Sequence, residues 1–201
     1  IYTYVPNFPK KAHDFNLRQL GGHLAGIRHY KGDEFSMNKY FATVTEGLDI
    51  FKDDELIFEP GTQYSYSSYG WNLISAAMES VIDVPFLEYI QTTVFDPLDM
   101  KHTFPEYSNR EYPERVSFYV QNEGENELAP TVDNSYKWAG GGFISTPEDV
   151  VRFAEGHMKP GYLSEATLKE FITTQQTSDG ENTNYGIGWR SGTDEEGRYW
   201  Y

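Results

Sequence analysis

The stretch VDNSYKWAGGGFISTPEDVVRF, residues 132–153, passes from an aromatic, glycine-rich loop straight into a helix start. Ser145 and Thr146 are capping residues, and Pro147 suits the first helical position, where its missing N–H costs nothing. Glu148 and Asp149 then place carboxylates at the positive end of the helix dipole. A helix is expected across STPEDVVRFAEGHM. Upstream of it, Trp138 stands beside Gly140, Gly141 and Gly142. Three glycines mean that backbone approaches something closely. That something is either a ligand, making a pocket wall, or the protein itself, making a tight packing turn. No G-x-G-x-x-G context supports a nucleotide loop.

Further upstream, RVSFYVQNEGENELAP alternates around an Asn-Glu-Gly turn and predicts a β-hairpin. VPFLEYIQTTVF predicts a helix with Pro85 at its first position and its end at Asp96-Pro97. SSYGWNLISAAMESV spaces Tyr69, Leu73, Ala77 and Val81 four apart, a one-faced helix over a core. SMNKYFATVTEG predicts a short helix between Gly32 and Gly47. FNLRQLGGHLAG predicts another, through Leu17, Leu20 and Leu24, with Gly26 as its stop. Downstream, LSEATLKEFIT starts a helix at Ser164. YGIGWRSGTDEEGRYWY alternates Tyr185, Ile187 and Trp189, then Tyr199 and Tyr201, around an acidic turn, which predicts a last hairpin. Helices early and hairpins late make the fold class α+β rather than a series of βαβ units. No repeat, low-complexity tract or linker divides the chain.

The 201 residues suffice for one domain with a sizeable core, or for part of a larger one. Sixteen basic and 31 acidic side chains give a net charge of −15. Such a surface repels a phosphate backbone, so nucleic acid is not an expected partner. The acids cluster at Asp53 to Glu55, at Glu123, Glu125 and Glu127, and at Asp194 to Glu196, all turn-like stretches best read as solvated surface. The five histidines form no i,i+4 pair and no H-E-x-x-H, so no metal site is expected, and nothing calls for a cofactor. With no cysteine there is neither disulfide nor thiol nucleophile. No apolar run is long enough for a membrane span. The opening IYTYVPNFPKK reads as mid-protein material and says little about export.

Chemistry is suggested by YSYSSYGWNLIS, residues 64–75, which crowds hydroxyls at the mouth of the central helix. They are either solvated loop residues or include a tyrosine placed to move a proton. Penicillin-recognising serine hydrolases combine Ser-x-x-Lys, Tyr-x-Asn or Tyr-x-Ser, and a Lys/His-Thr/Ser-Gly strand. The lysine lies one helical turn from the serine and can take its proton. The tyrosine relays protons, and the strand supplies donors for an oxyanion. Loose matches occur at Ser36-Met37-Asn38-Lys39, Tyr66-Ser67-Ser68 and Arg190-Ser191-Gly192.

LGGHLAGIRHY, EPGTQYSYSSYGWNLISAAMESV, FDPLDM and above all the opening stretch resemble the serine beta-lactamase-like, penicillin-binding-protein-like hydrolase family, nearest to its mitochondrial-type branch. The resemblance covers nearly the whole chain. It implies a beta-lactamase/DD-peptidase-like fold of which residues 1–201 are the central part of a single domain, a helix-rich section with late hairpins. It implies Tyr66 as proton relay with Ser68 beside it, Ser68 standing where many members carry Asn. It puts His29 and Tyr30 at the rim of the site, as substrate contacts or as structure. Trp138, Gly140 and Gly141 are candidates for a pocket wall. The same resemblance demotes the other two matches. The family's Ser-x-x-Lys precedes the H-x-x-G-I element, whereas Ser36 follows His23 and Gly26. Its third motif follows a stretch like RYWY, beyond Arg190. The nucleophile and third motif are therefore expected outside this chain.

The resulting expectation is a serine hydrolase, acting on a small peptide, amide or ester through an acyl-enzyme. The alternative is a non-catalytic scaffold that kept the fold, and the resemblance makes self-association conceivable in either case. The compartment stays open, extracytoplasmic if the source is bacterial. Within residues 64–75, Tyr64 and Tyr69 are expected to pack and Tyr66 to face a concave surface. Ser36 and Lys39 are expected to share no cleft with it.

Overall fold

The computed structural model describes residues 1–159 and 161–201. In chain order the helices are α1 (Leu17–Gly21), α2 (Val44–Gly47), α3 (Ser68–Ile82), α4 (Phe86–Ile90), α5 (Trp138–Gly141), α6 (Pro147–Met158) and α7 (Glu165–Ile172). The strands are β1 (Phe104–Pro105), β2 (Tyr119–Asn122), β3 (Glu125–Leu128), β4 (Phe143–Ile144), β5 (Gly192–Thr193) and β6 (Tyr199–Trp200). They pair antiparallel as β1 with β4, β2 with β3 and β5 with β6. Among the described residues the class is α+β, helix-rich with short strands.

Helix α3 is the axis of the core. Ser67 caps it by accepting from the Gly70 amide, and Asp83 closes it in the left-handed conformation at φ 53°. Tyr69, Leu73 and Ala77 are buried, as the periodicity predicts. Against them pack Leu20 of α1, Val44 of α2, Phe86 of α4, Trp138 of α5, and Leu48, Phe51 and Tyr136 from the connections. Val81, expected on the same stripe, is 64 % exposed. Four-residue steps overrun the 3.6-residue turn, so three of them rotate a side chain by about 120° off the face.

Three other expectations need correction. Helix α1 stops at Gly21, where two glycines in a row disfavour continuation. Leu24 is buried all the same, on an irregular segment beyond the helix. Gly26 is a turn residue at φ 75°, where a Cβ would lie 2.5 Å from the Phe58 carbonyl oxygen. Residues 36–47 are not one helix. A 3₁₀ turn covers Glu34–Ser36 and α2 only the last four residues. Between them the backbone is spent on the segment at 133–135: the Phe41 amide donates to Ser135 Oγ at 2.8 Å, and the Asp133 amide to the Met37 carbonyl. The last hairpin forms, but its first strand is Gly192–Thr193. Tyr185 instead bridges Arg190 across a tight turn.

Elsewhere the local signals hold. Pro85 sits one place earlier than predicted, at the cap of α4, which a π-turn extends to Phe95. The β2–β3 hairpin turns through Glu123 and Gly124, both at positive φ, as a two-residue hairpin loop requires. Helix α6 begins at Pro147, with Thr146 Oγ1 accepting from the Asp149 amide at 3.3 Å. Asp149 itself is fully buried. It accepts from the His102 amide at 2.7 Å, from Thr103 Oγ1 at 3.0 Å and from Arg152 at 2.6 Å. Burial pushes its carboxyl up, but those donors overcome the push and hold it below the usual aspartate value. Thr146→Ala should therefore lower stability by about 1 kcal/mol, the usual scale of a lost cap, read from the urea midpoint. No change at all would deny the cap its role.

Candidate functional site

The segment 23–29 lies alongside the approach to α3 and holds it residue by residue. The Ser65 amide donates to the His23 carbonyl at 3.0 Å and the Ser67 amide to His23 Nδ1 at 3.1 Å. Ser67 Oγ donates to the Arg28 carbonyl at 2.7 Å, and the Ser68 amide to His29 Nδ1 at 3.3 Å. The mouth of α3 is thus laced to one strand-like segment through Ser65, Ser67 and Ser68, and Tyr66 is left between the anchors.

Tyr66 is 43 % exposed and its hydroxyl has no hydrogen-bond partner among the described residues. Its ring lies over His23 at 4.4 Å between centroids and meets the His29 ring edge-on at 5.5 Å. Tyr69, by contrast, is wholly buried. It stacks on Phe51 at 4.5 Å, and its hydroxyl donates to Glu34 Oε2 at 2.9 Å. Burial and the Glu34 carboxylate both push that phenol far up. Tyr64 packs edge-on against His23 at 5.9 Å. Of the three tyrosines Tyr66 is the most exposed, and its hydroxyl has no partner among the described residues.

The other candidates divide. His29 adjoins Tyr66, and the rings of His29 and Tyr30 lie 4.3 Å apart. Tyr30 is half-buried, edge-on to Tyr69 at 5.0 Å, and burial raises its phenol while the Ser68 hydroxyl opposes the shift. Ser68 is buried under α5, where a Cβ on Gly140 would lie 3.2 Å from the Ser68 carbonyl oxygen. Gly140 is therefore a packing glycine between α3 and α5. Gly141 takes φ 140° over open space. Trp138 belongs to the core. It is 4 % exposed, lines a cavity of about 480 Å³ with Tyr40, Phe86 and Tyr107, and meets the Tyr107 ring edge-on at 5.9 Å. A second cavity, of about 340 Å³, lies beside Arg18 and Glu170. Tyr66 lines neither of these two cavities.

The loose matches behave as ordinary structure. Ser36 Oγ donates to the Asp33 carbonyl at 3.2 Å, and Lys39 lies over the Phe41 ring at 4.9 Å. No bond among the described residues joins Ser36 to Lys39 or to Tyr66. Ser191 is fully buried, so that hydroxyl is not presented on an open strand.

Three supports went unnoticed in the sequence. Arg28, buried, spends all its donors: on Glu34 at 2.6 and 2.9 Å, Asp54 at 2.5 Å, and the His29 and Ile50 carbonyls at 2.9 and 3.1 Å. Lys137 donates to the Phe35 carbonyl at 2.7 Å within the rings of Tyr30, Phe35 and Tyr136, and burial lowers its pKa. His23 carries the approach itself. A lone Arg or Lys in a loop has no pattern to betray it. His23 had one, as the first residue of the H-x-x-G-I element.

The family model described as Beta-lactamase matches residues 1–201. The mitochondrial serine beta-lactamase-like protein LACTB of Homo sapiens is 33 % identical over 94 % of this chain and 50 % of its own length. Penicillin-binding protein 4* of Bacillus subtilis is 24 % identical over 94 % of the chain and 45 % of its own. The chain thus spans about half the length of these curated relatives. Among solved structures, a D-stereospecific amidohydrolase from Streptomyces superposes with a TM-score of 0.80 at 21 % identity, covering 98 % of this chain and 64 % of that one. This is agreement in fold.

Proposed function

The chain belongs to the beta-lactamase family, and on that premise we propose that the intact protein is a serine hydrolase cleaving a small peptide, amide or ester through an acyl-enzyme. Residues 1–201 form the central part of its domain and supply the Tyr-x-Ser element. Tyr66 relays the proton between nucleophile and leaving group. Its free hydroxyl, on a ring held between two histidines, is the single observation that carries this reading. Ser68 supports the turn through its amide, and His29 and Tyr30 border the substrate. The nucleophile and its lysine lie outside residues 1–201 in this reading, which the order of the family's motifs supports, as does Ser36 donating to the Asp33 carbonyl. The amidohydrolase that shares the fold favours an amide among these substrates.

The test is covalent. Mass spectrometry of the full-length protein, quenched during turnover of an activated ester, should show one acyl group added to a serine outside residues 1–201. Burst kinetics should match that adduct in amplitude. An adduct on Ser36 would overturn the assignment. A protein that is folded yet neither acylates nor turns over esters, amides or peptides supports the scaffold alternative.

A further inference from the structure

We propose that His23 is the positioning residue of Tyr66, clamping the amides on both sides of it and carrying its ring. This deepens the reading of Tyr66 as the proton relay and rests on it. His23 is 2 % exposed and adopts φ 62°, left-handed backbone that a side chain with a Cβ takes only under constraint. The turn has two consequences. It presents the His23 carbonyl to the Ser65 amide at 3.0 Å, and it swings Nδ1 to the Ser67 amide at 3.1 Å. One residue therefore holds both neighbours of Tyr66. Its ring then lies 4.4 Å from that of Tyr66 on one side and 4.6 Å from that of Tyr185 on another. Backbone and ring of Tyr66 are referred to the same imidazole, so the direction of the phenol hydroxyl is set by His23.

The arrangement requires neutral imidazole. An amide N–H can donate to Nδ1 only while Nδ1 is unprotonated, which puts the proton on Nε2. Nε2 is buried and has no partner among the described residues. The ionisable groups around the ring are His29 and the phenols of Tyr64, Tyr66 and Tyr185, with Arg190 acting on Tyr64 and Tyr185; among the described residues no carboxylate bonds to the ring to stabilise an imidazolium. Burial, with His29 adding to it, lowers the pKa to about 4. The folded pKa is depressed below the ordinary 6.5, so in the folded protein the clamp holds until pH falls to about 4, while its contribution to stability is full above 6.5 and is lost as pH falls from there toward 4.

The test uses the full-length protein and an activated ester. His23→Phe keeps a ring without the acceptor, and His23→Asn keeps an acceptor without the ring. Each should lower kcat by about 10- to 100-fold with KM changed less than about twofold, the scale of a misplaced catalytic group. In a Tyr66→Phe background both substitutions should have almost no further effect, because positioning acts only through the hydroxyl already removed. Losses that multiply in the double variants overturn the proposal, as does normal kcat in folded single variants. Wild-type turnover in Tyr66→Phe overturns the relay reading instead. If neither His23 variant folds, ¹⁵N NMR of the wild-type protein decides. His23 should remain protonated at Nε2 and bare at Nδ1 at pH 5.5, and a titration midpoint near 6.5 with turnover undisturbed through it sinks the clamp.

Discussion

Tyr66→Phe in the full-length protein should lower turnover of an activated ester by about two orders of magnitude or more, the scale of a lost acid–base group. The unfolding midpoint should not move. The reason lies in what the hydroxyl does not do: it has no bond within the described residues, so its removal strands no partner. The ring contacts with His23 and His29 are kept by a phenyl. Tyr69→Phe is the counterpart with the opposite signature. It takes away a donor to the partly buried Glu34 and should cost stability before it costs turnover. Steady-state kinetics beside thermal unfolding separate the two, and wild-type turnover in Tyr66→Phe would remove that residue from the chemistry.

Arg28→Met should destabilise the protein by about 3–5 kcal/mol, the usual cost of breaking a buried ion pair from one side. The side chains of Arg28 and Glu34 are 7 % and 17 % exposed. Burial alone would raise the Glu34 carboxyl. Donation from Arg28, from the Lys31 amide and from Tyr69 overcomes it and holds the pKa below the ordinary 4.5. The carboxylate is thus charged in the folded state. It contributes stability above its unfolded pKa, which fades as pH falls through the folded one. Without Arg28 that partly buried charge keeps only the Lys31 amide and the Tyr69 hydroxyl as donors, and the His29–Tyr30 segment loses its anchor at the His29 carbonyl. Arg28→Met with Glu34→Leu should recover part of the loss, since no charge is then left unpaired. Chemical denaturation measures both, and a single-variant loss below about 1 kcal/mol contradicts the clamp.

Much of the secondary structure was legible because its determinants are neighbours. Ser67 reaches the Gly70 amide, Thr146 the Asp149 amide and Ser164 the Thr167 amide, each three residues on. Patterns of this kind are short, and a reader of the sequence sees both partners at once. Where the pattern misled, distant segments had claimed the backbone. Residues 37–41 satisfy themselves on 133–135 rather than in a helix. Gly140, readable as ligand wall or packing turn, packs against Ser68, 72 positions earlier in the chain.

The candidate site divides the same way. Tyr66 was singled out by the resemblance of EPGTQYSYSSYG to the family's tyrosine motif, all within one stretch of chain. What surrounds it was not. The bond from Ser67 to Arg28 spans 39 residues, that from Tyr69 to Glu34 spans 35, and that from Lys137 to Phe35 spans 102. Local propensity cannot specify such pairs, because their energy appears only after the hydrophobic core around α3 has closed the loops between them. The helices and the identity of the exposed tyrosine therefore follow from residues adjacent in the chain. The buried arginine clamp, the caged lysine and the histidine beneath Tyr66 exist only because folding brings their partners into contact.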